Sequence, residues 1–61
     1  MLEKDRMLDV RDKLGIWAKA KVLNRVEYHI LVTFVDYGSK FDEWLHLHDD
    51  AHRISVISLF T

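Results

Sequence analysis

Ile16-Trp17-Ala18-Lys19-Ala20-Lys21-Val22 decides the fold of this chain, because Ile16, Ala18, Ala20 and Val22 fall on one parity and Trp17, Lys19 and Lys21 on the other. A period of two belongs to a strand with one face buried and one in water. Asn24-Arg25-Val26-Glu27 interrupts the pattern, and His29-Ile30-Leu31-Val32-Thr33-Phe34-Val35 follows, rich in β-branched and aromatic residues. The two runs read as a hairpin. Beyond it, Asp36-Tyr37-Gly38-Ser39-Lys40 has the chemistry of a polar loop with a glycine available for positive φ, and an extended pattern resumes from Phe41 to Leu47.

Working outward, Leu8-Asp9-Val10-Arg11 alternates over a short span upstream, and Arg53-Ile54-Ser55-Val56-Ile57 does the same downstream. About five short strands in so few residues predict an all-β, closed or nearly closed barrel, since closure removes exposed strand edges. Met1 to Met7 and Leu45 to Ala51 are each also compatible with a helical turn, and neither is long enough for its pattern to decide. The organisation that follows is an N-terminal extension over residues 1–7, a barrel over 8–57 and a C-terminal tail over 58–61.

A chain of 61 residues is one domain near the lower limit at which a core suffices, and the absence of cysteine removes disulfides and thiolate zinc sites as supports. The composition, 49% hydrophobic with mixed charges, is globular. Nine Lys and Arg against ten Asp and Glu leave a charge of −1, which does not suggest a phosphate-binding domain. No apolar run approaches the roughly 20 residues of a membrane span, and the charged start lacks the apolar core of a signal peptide. A soluble, intracellular protein is expected. No Gly-rich phosphate loop, nucleophile elbow or cysteine is present, and a domain this small has little room for a water-excluded pocket, so an enzyme is not expected.

The segment Phe34-Val35-Asp36-Tyr37-Gly38-Ser39-Lys40-Phe41-Asp42-Glu43-Trp44 resembles the strand-loop-strand of chromo-barrel and Tudor-knot domains. There an aromatic ends one strand, a second follows in the loop and a third opens the next strand before Asp-Glu-Trp. The resemblance extends to Trp17-Ala18-Lys19-Ala20-Lys21-Val22 and to Arg53-Ile54, and so covers most of residues 8–57. It departs from the family at Lys13, near which Tudor-knot members often carry a further aromatic, and at Asp36-Tyr37, where many relatives have Gly-Trp. It implies an SH3-like five-stranded barrel from a nuclear chromatin regulator.

The same resemblance implies a reader that binds a histone or other nuclear peptide by its methylated lysine, with Trp17, Phe34, Tyr37 and Phe41 as the cage walls. A methylammonium keeps its charge but loses N–H donors, so it is held by the negative faces of aromatic rings. Asp36, Asp42 and Glu43 are nearby carboxylates able to accept the remaining N–H of a lower methylation state. For Phe34 and Phe41, core packing stands equally open. Tyr37 sits in a polar loop, where an exposed ring marks recognition, whereas Trp44, beside Leu45 and Leu47, is expected in the barrel interior.

His46, His48 and His52 form a histidine-rich stretch beside Asp49 and Asp50, read here as solvated imidazoles and not as a metal set. No cofactor is expected. Two other functions stand beside the reader. One is a barrel without a cage that contacts protein or nucleic acid through Lys13, Lys19, Lys21, Arg25 and Lys40. The other is a scaffold that pairs through the apolar residues Val56, Ile57, Leu59 and Phe60.

Overall fold

The computed structural model describes residues 2–56. Five strands form one antiparallel sheet: β1 (Met7–Arg11), β2 (Trp17–Val26), β3 (His29–Phe34), β4 (Glu43–His46) and β5 (Ile54–Ser55). Their order in the sheet is β4-β3-β2-β1-β5, and the sheet curls into a half-barrel around one core. The fold is all-β. Two short 3-10 turns, Ser39–Phe41 and Ala51–Arg53, complete it, and no described helix is long and apolar enough to cross a membrane. The expected end of the fifth strand at Ile57, and the tail after it, lie outside the described residues.

The core follows from strand parity. Leu8 and Val10 of β1, Ala20 and Val22 of β2, Ile30, Val32 and Phe34 of β3, and Leu45 of β4 all turn inward and are buried. Registers Ala20↔Phe34, Val22↔Val32 and Ile30↔Leu45 place these side chains opposite one another, since directly paired residues share a face. Asp9, on the other parity of β1, is also fully buried, so this strand is covered on both faces.

Strands β4 and β5 are the two edges of the sheet and do not pair with each other. Arg53, just before β5, closes that seam with a forked ion pair. Its Nη2 bonds Glu43 Oε1, its Nη1 lies 3.4 Å from Glu43 Oε2, and its Nε donates to the Arg11 carbonyl at 2.8 Å. A bidentate guanidinium adds orientation as well as attraction, which suits a place where backbone pairing has run out.

Several sequence expectations are corrected. The interruption expected at Asn24 to Glu27 is not a break: β2 runs on to Val26, and its register shifts by one residue between Val22 and Asn24. This is a β-bulge, and the chain turns later, through Glu27 (φ +54°) and Tyr28. Neither stretch compatible with a helical turn is α-helical among the described residues. The extended stretch expected from Phe41 starts as β4 at Glu43, because Phe41 belongs to a 3-10 turn. Gly38 has extended backbone, φ −77° and ψ 163°, so the positive φ foreseen there is found instead at Gly15, φ +83°, in the β1–β2 turn.

Trp44 is the largest correction. It is 50% exposed, paired with Leu31 on the outer face, while its neighbour Leu45 fills the interior. Alternation allows only one of two adjacent residues to face inward, and the pairing of Leu45 with Ile30 settles which.

Candidate functional site

One end of the half-barrel holds the β1–β2 turn and the β3–β4 connection, and between them lies a cavity of about 680 Å³. Phe34 reaches it from the end of β3, Tyr37 from the connection and Phe41 from the 3-10 turn. The three rings form a continuous wall. Phe34 and Tyr37 stack with centroids 5.1 Å apart and planes at 27°, and Tyr37 meets Phe41 edge-on at 5.7 Å and 72°. Both arrangements suit the ring quadrupole.

Their burial differs, and with it their roles. Phe34 is part of the core, Tyr37 is partly buried against it, and Phe41 is 52% exposed. Tyr37 therefore has a structural reason to be aromatic that a surface loop did not suggest, and Phe41 is the freer ring. The ammonium of Lys40 lies 5.3 Å from the Phe41 centroid, so this ring already faces a cation.

Trp17 is not brought to the cavity. It pairs with Arg11 at the start of β2, half-buried, on the parity opposite to Ala18 and Ala20, and it does not line the space that the other three rings share. All three carboxylates read as candidates do line it. Glu43 is already paired with Arg53, and Asp42 has one carboxylate oxygen, Oδ1, buried without a hydrogen-bond partner among the described residues. A buried acceptor left unpaired is costly, and this oxygen is closed off from the cavity itself.

Asp12 was not singled out in the sequence, although Asp12-Lys13-Leu14-Gly15 carries the signature of an Asx turn. Its Oδ1 accepts the backbone N–H groups of Leu14 at 2.8 Å and Ile16 at 2.9 Å, while its Oδ2 accepts the Tyr37 hydroxyl at 2.8 Å. The first turn thereby fixes the ring of the third loop. Lys13 and Leu14 border the cavity from the same turn, where the Tudor-knot pattern would place another aromatic.

This arrangement shifts two ionisations. The Ile16 N–H, then the Tyr37 hydroxyl, hold the Asp12 carboxyl below its ordinary value, with Leu14 N–H and the charge of Arg53 acting in the same sense. The bond to Asp12, with some burial and the charge of Asp36, raises the Tyr37 phenol above its ordinary value of 10.0. A depressed carboxylate contributes stability above its unfolded value of 3.8 that is lost as pH falls through the folded one. A raised phenol contributes stability below 10.0 that is lost as pH rises through its folded value. The turn-to-loop bond is thus intact across the neutral range. Phenolate absorbance should show one tyrosine titrating above 10.0, and Asp12→Asn should bring it back toward that value. An unchanged titration in Asp12→Asn would exclude the bond.

At the opposite end, His46 Nδ1 accepts the N–H groups of His48 and Asp49, both at 3.1 Å, so this imidazole shapes its own turn. Among the described residues, no group of three or more His or acidic side chains is placed to hold a metal ion.

Fold and site together define a small all-β domain with an aromatic-walled, carboxylate-edged cavity at one end. No family model, no curated protein and no solved structure matches the chain.

Proposed function

We propose that this domain is a non-catalytic reader of the chromo-barrel and Tudor kind, an SH3-like barrel that binds a lysine-methylated histone or other nuclear peptide as part of a chromatin regulator. The observation that carries the reading is the wall of Phe34, Tyr37 and Phe41 around a cavity that Asp36 and Asp42 also line. The rings offer their faces to a methylammonium, and the carboxylates on the lining offer acceptors to any N–H it retains. Three rings take part in place of the four expected from sequence, since Trp17 does not line this cavity.

The test is a panel of histone peptides carrying unmodified, mono-, di- and trimethylated lysine, titrated into the protein and followed by amide shifts. Binding should favour methylated peptides and perturb residues 34–43. With the carboxylates of Asp36 and Asp42 on the cavity lining, the mono- and dimethyl forms should bind at least as well as the trimethyl form. Equal affinity for methylated and unmodified peptides would overturn the reading and leave the rings as packing for a protein-protein module.

A further inference from the structure

The other end of the half-barrel carries a second cavity, of about 440 Å³, formed where the N-terminal segment, the end of β2 and the residues after β4 converge. Its apolar wall comes from Leu2, Leu47, Ile54 and Val56, and its charge comes from Arg6 and Arg25. Leu2, Leu47 and Ile54 also pack on the core, so the floor of the groove is continuous with the interior.

Arg25 reaches this place because of the bulge in β2. Val22 pairs with Val32, but after the extra residue Asn24 pairs with Leu31 and Arg25 with Ile30, whose side chain is in the core. The inserted residue moves Arg25 onto the inward-facing parity, where uninterrupted alternation from Val22 would have put Asn24. Arg6 is held beside the same strand, since Asp5 N–H donates to the Val22 carbonyl at 2.7 Å and Val22 N–H donates to the Arg6 carbonyl at 2.9 Å.

Each guanidinium has one hydrogen bond to a backbone carbonyl, Arg6 to Val56 at 3.4 Å and Arg25 to Glu27 at 3.0 Å. Among the described residues neither forms an ion pair, although the chain holds ten carboxylate side chains. Two cationic forks with donors to spare, beside an aliphatic trough, form a recognition surface of defined chemistry.

We propose that this groove is a second ligand site, taking an acidic peptide segment that carries a large aliphatic side chain. The aliphatic group would lie against Leu47, Ile54 and Val56, and the flanking carboxylates would meet Arg6 and Arg25. Charge complementarity selects an acidic partner in a domain whose net charge is −1. Among the described residues the lining contains no aromatic ring on which a base could stack, which favours a peptide over a single-stranded nucleic acid. This site is independent of the ring-walled cavity and stands or falls separately.

The experiment titrates a short peptide of two leucines flanked by glutamates into isotope-labelled protein, with the same peptide bearing glutamines as control. The acidic peptide should shift the amides of Leu2, Arg6, Arg25, Leu47, Ile54 and Val56, leave residues 34–43 undisturbed, and bind more weakly as salt rises. Arg25→Gln and Arg6→Gln should each weaken it about tenfold, the loss of one charge-assisted contact. Arg6 is exposed, so its variant keeps the test decisive should Arg25→Gln fold poorly. Equal binding of the glutamine peptide, or undiminished binding to Arg6→Gln, would refute the site. So would shifts of these amides on dilution of the protein alone, which would assign the groove to a second copy. The peptide reading also fails if a single-stranded oligonucleotide shifts these amides and the acidic peptide does not.

Discussion

Leu45→Ala should remove about half of the stability of this domain, while Trp44→Ala, one residue away, should leave it nearly intact. Leu45 is fully buried and packs across from Ile30 in a core of eight buried hydrophobic side chains among the described residues. Truncating such a leucine costs about 2–5 kcal/mol, against a total stability of about 3–9 kcal/mol for a domain this size. Neither a disulfide nor a thiolate metal site can compensate, since the chain has no cysteine.

Trp44 lies on the outer face with half of its surface in water, so its loss should cost roughly 1 kcal/mol or less. Urea unfolding of both variants, followed by circular dichroism, measures the contrast. Should Trp44→Ala prove the more damaging, β4 would be paired one residue out of the register described, which would turn all of its side chains to the other face.

Phe41→Ala should separate binding from stability more cleanly than any other change at the ring-walled cavity. Phe41 is 52% exposed, and its removal should alter unfolding by about 0.5 kcal/mol or less. A methylated peptide should nonetheless lose roughly 0.5–2 kcal/mol of affinity, up to about thirtyfold, because one wall of the cation site has gone. Any affinity for the unmodified peptide should change much less. Tyr37→Ala would test the same cavity less clearly, since it also removes the stack on Phe34 and the bond to Asp12. Parent-level affinity in a folded Phe41→Ala variant would remove Phe41 from the site.

Two of the aromatic readings that the structure changed have a common origin. Trp44 and Tyr37 were placed by their near neighbours, Trp44 inward beside Leu45 and Leu47, and Tyr37 outward in a polar loop. In the structure Trp44 is on the outer face, and Tyr37 is partly buried between Phe34 and Asp12. Asp12 lies 25 residues away in the chain, and no local pattern announces a bond across that separation.

The sequence by itself determined that this chain is all-β, that its strands centre on Leu8 to Arg11, Ile16 to Val22, His29 to Val35 and the stretch after Phe41, and that Ala20 and Val22 face inward. The strand readings rest on period, propensity and turn chemistry, which are local properties. The grouping of Trp17, Phe34, Tyr37 and Phe41 into one site came instead from the resemblance to chromo-barrel and Tudor-knot domains. Only the tertiary structure decided that Leu45 and not Trp44 is core, that Trp17 does not line the cavity of Phe34, Tyr37 and Phe41, and that Asp12 holds Tyr37. It alone placed the bulge that carries Arg25 to the second groove and the Arg53–Glu43 pair that closes the seam. Register, bulges and bonds across the barrel depend on which distant strand each residue meets, and alternation along one strand leaves that choice open until its partner is in place.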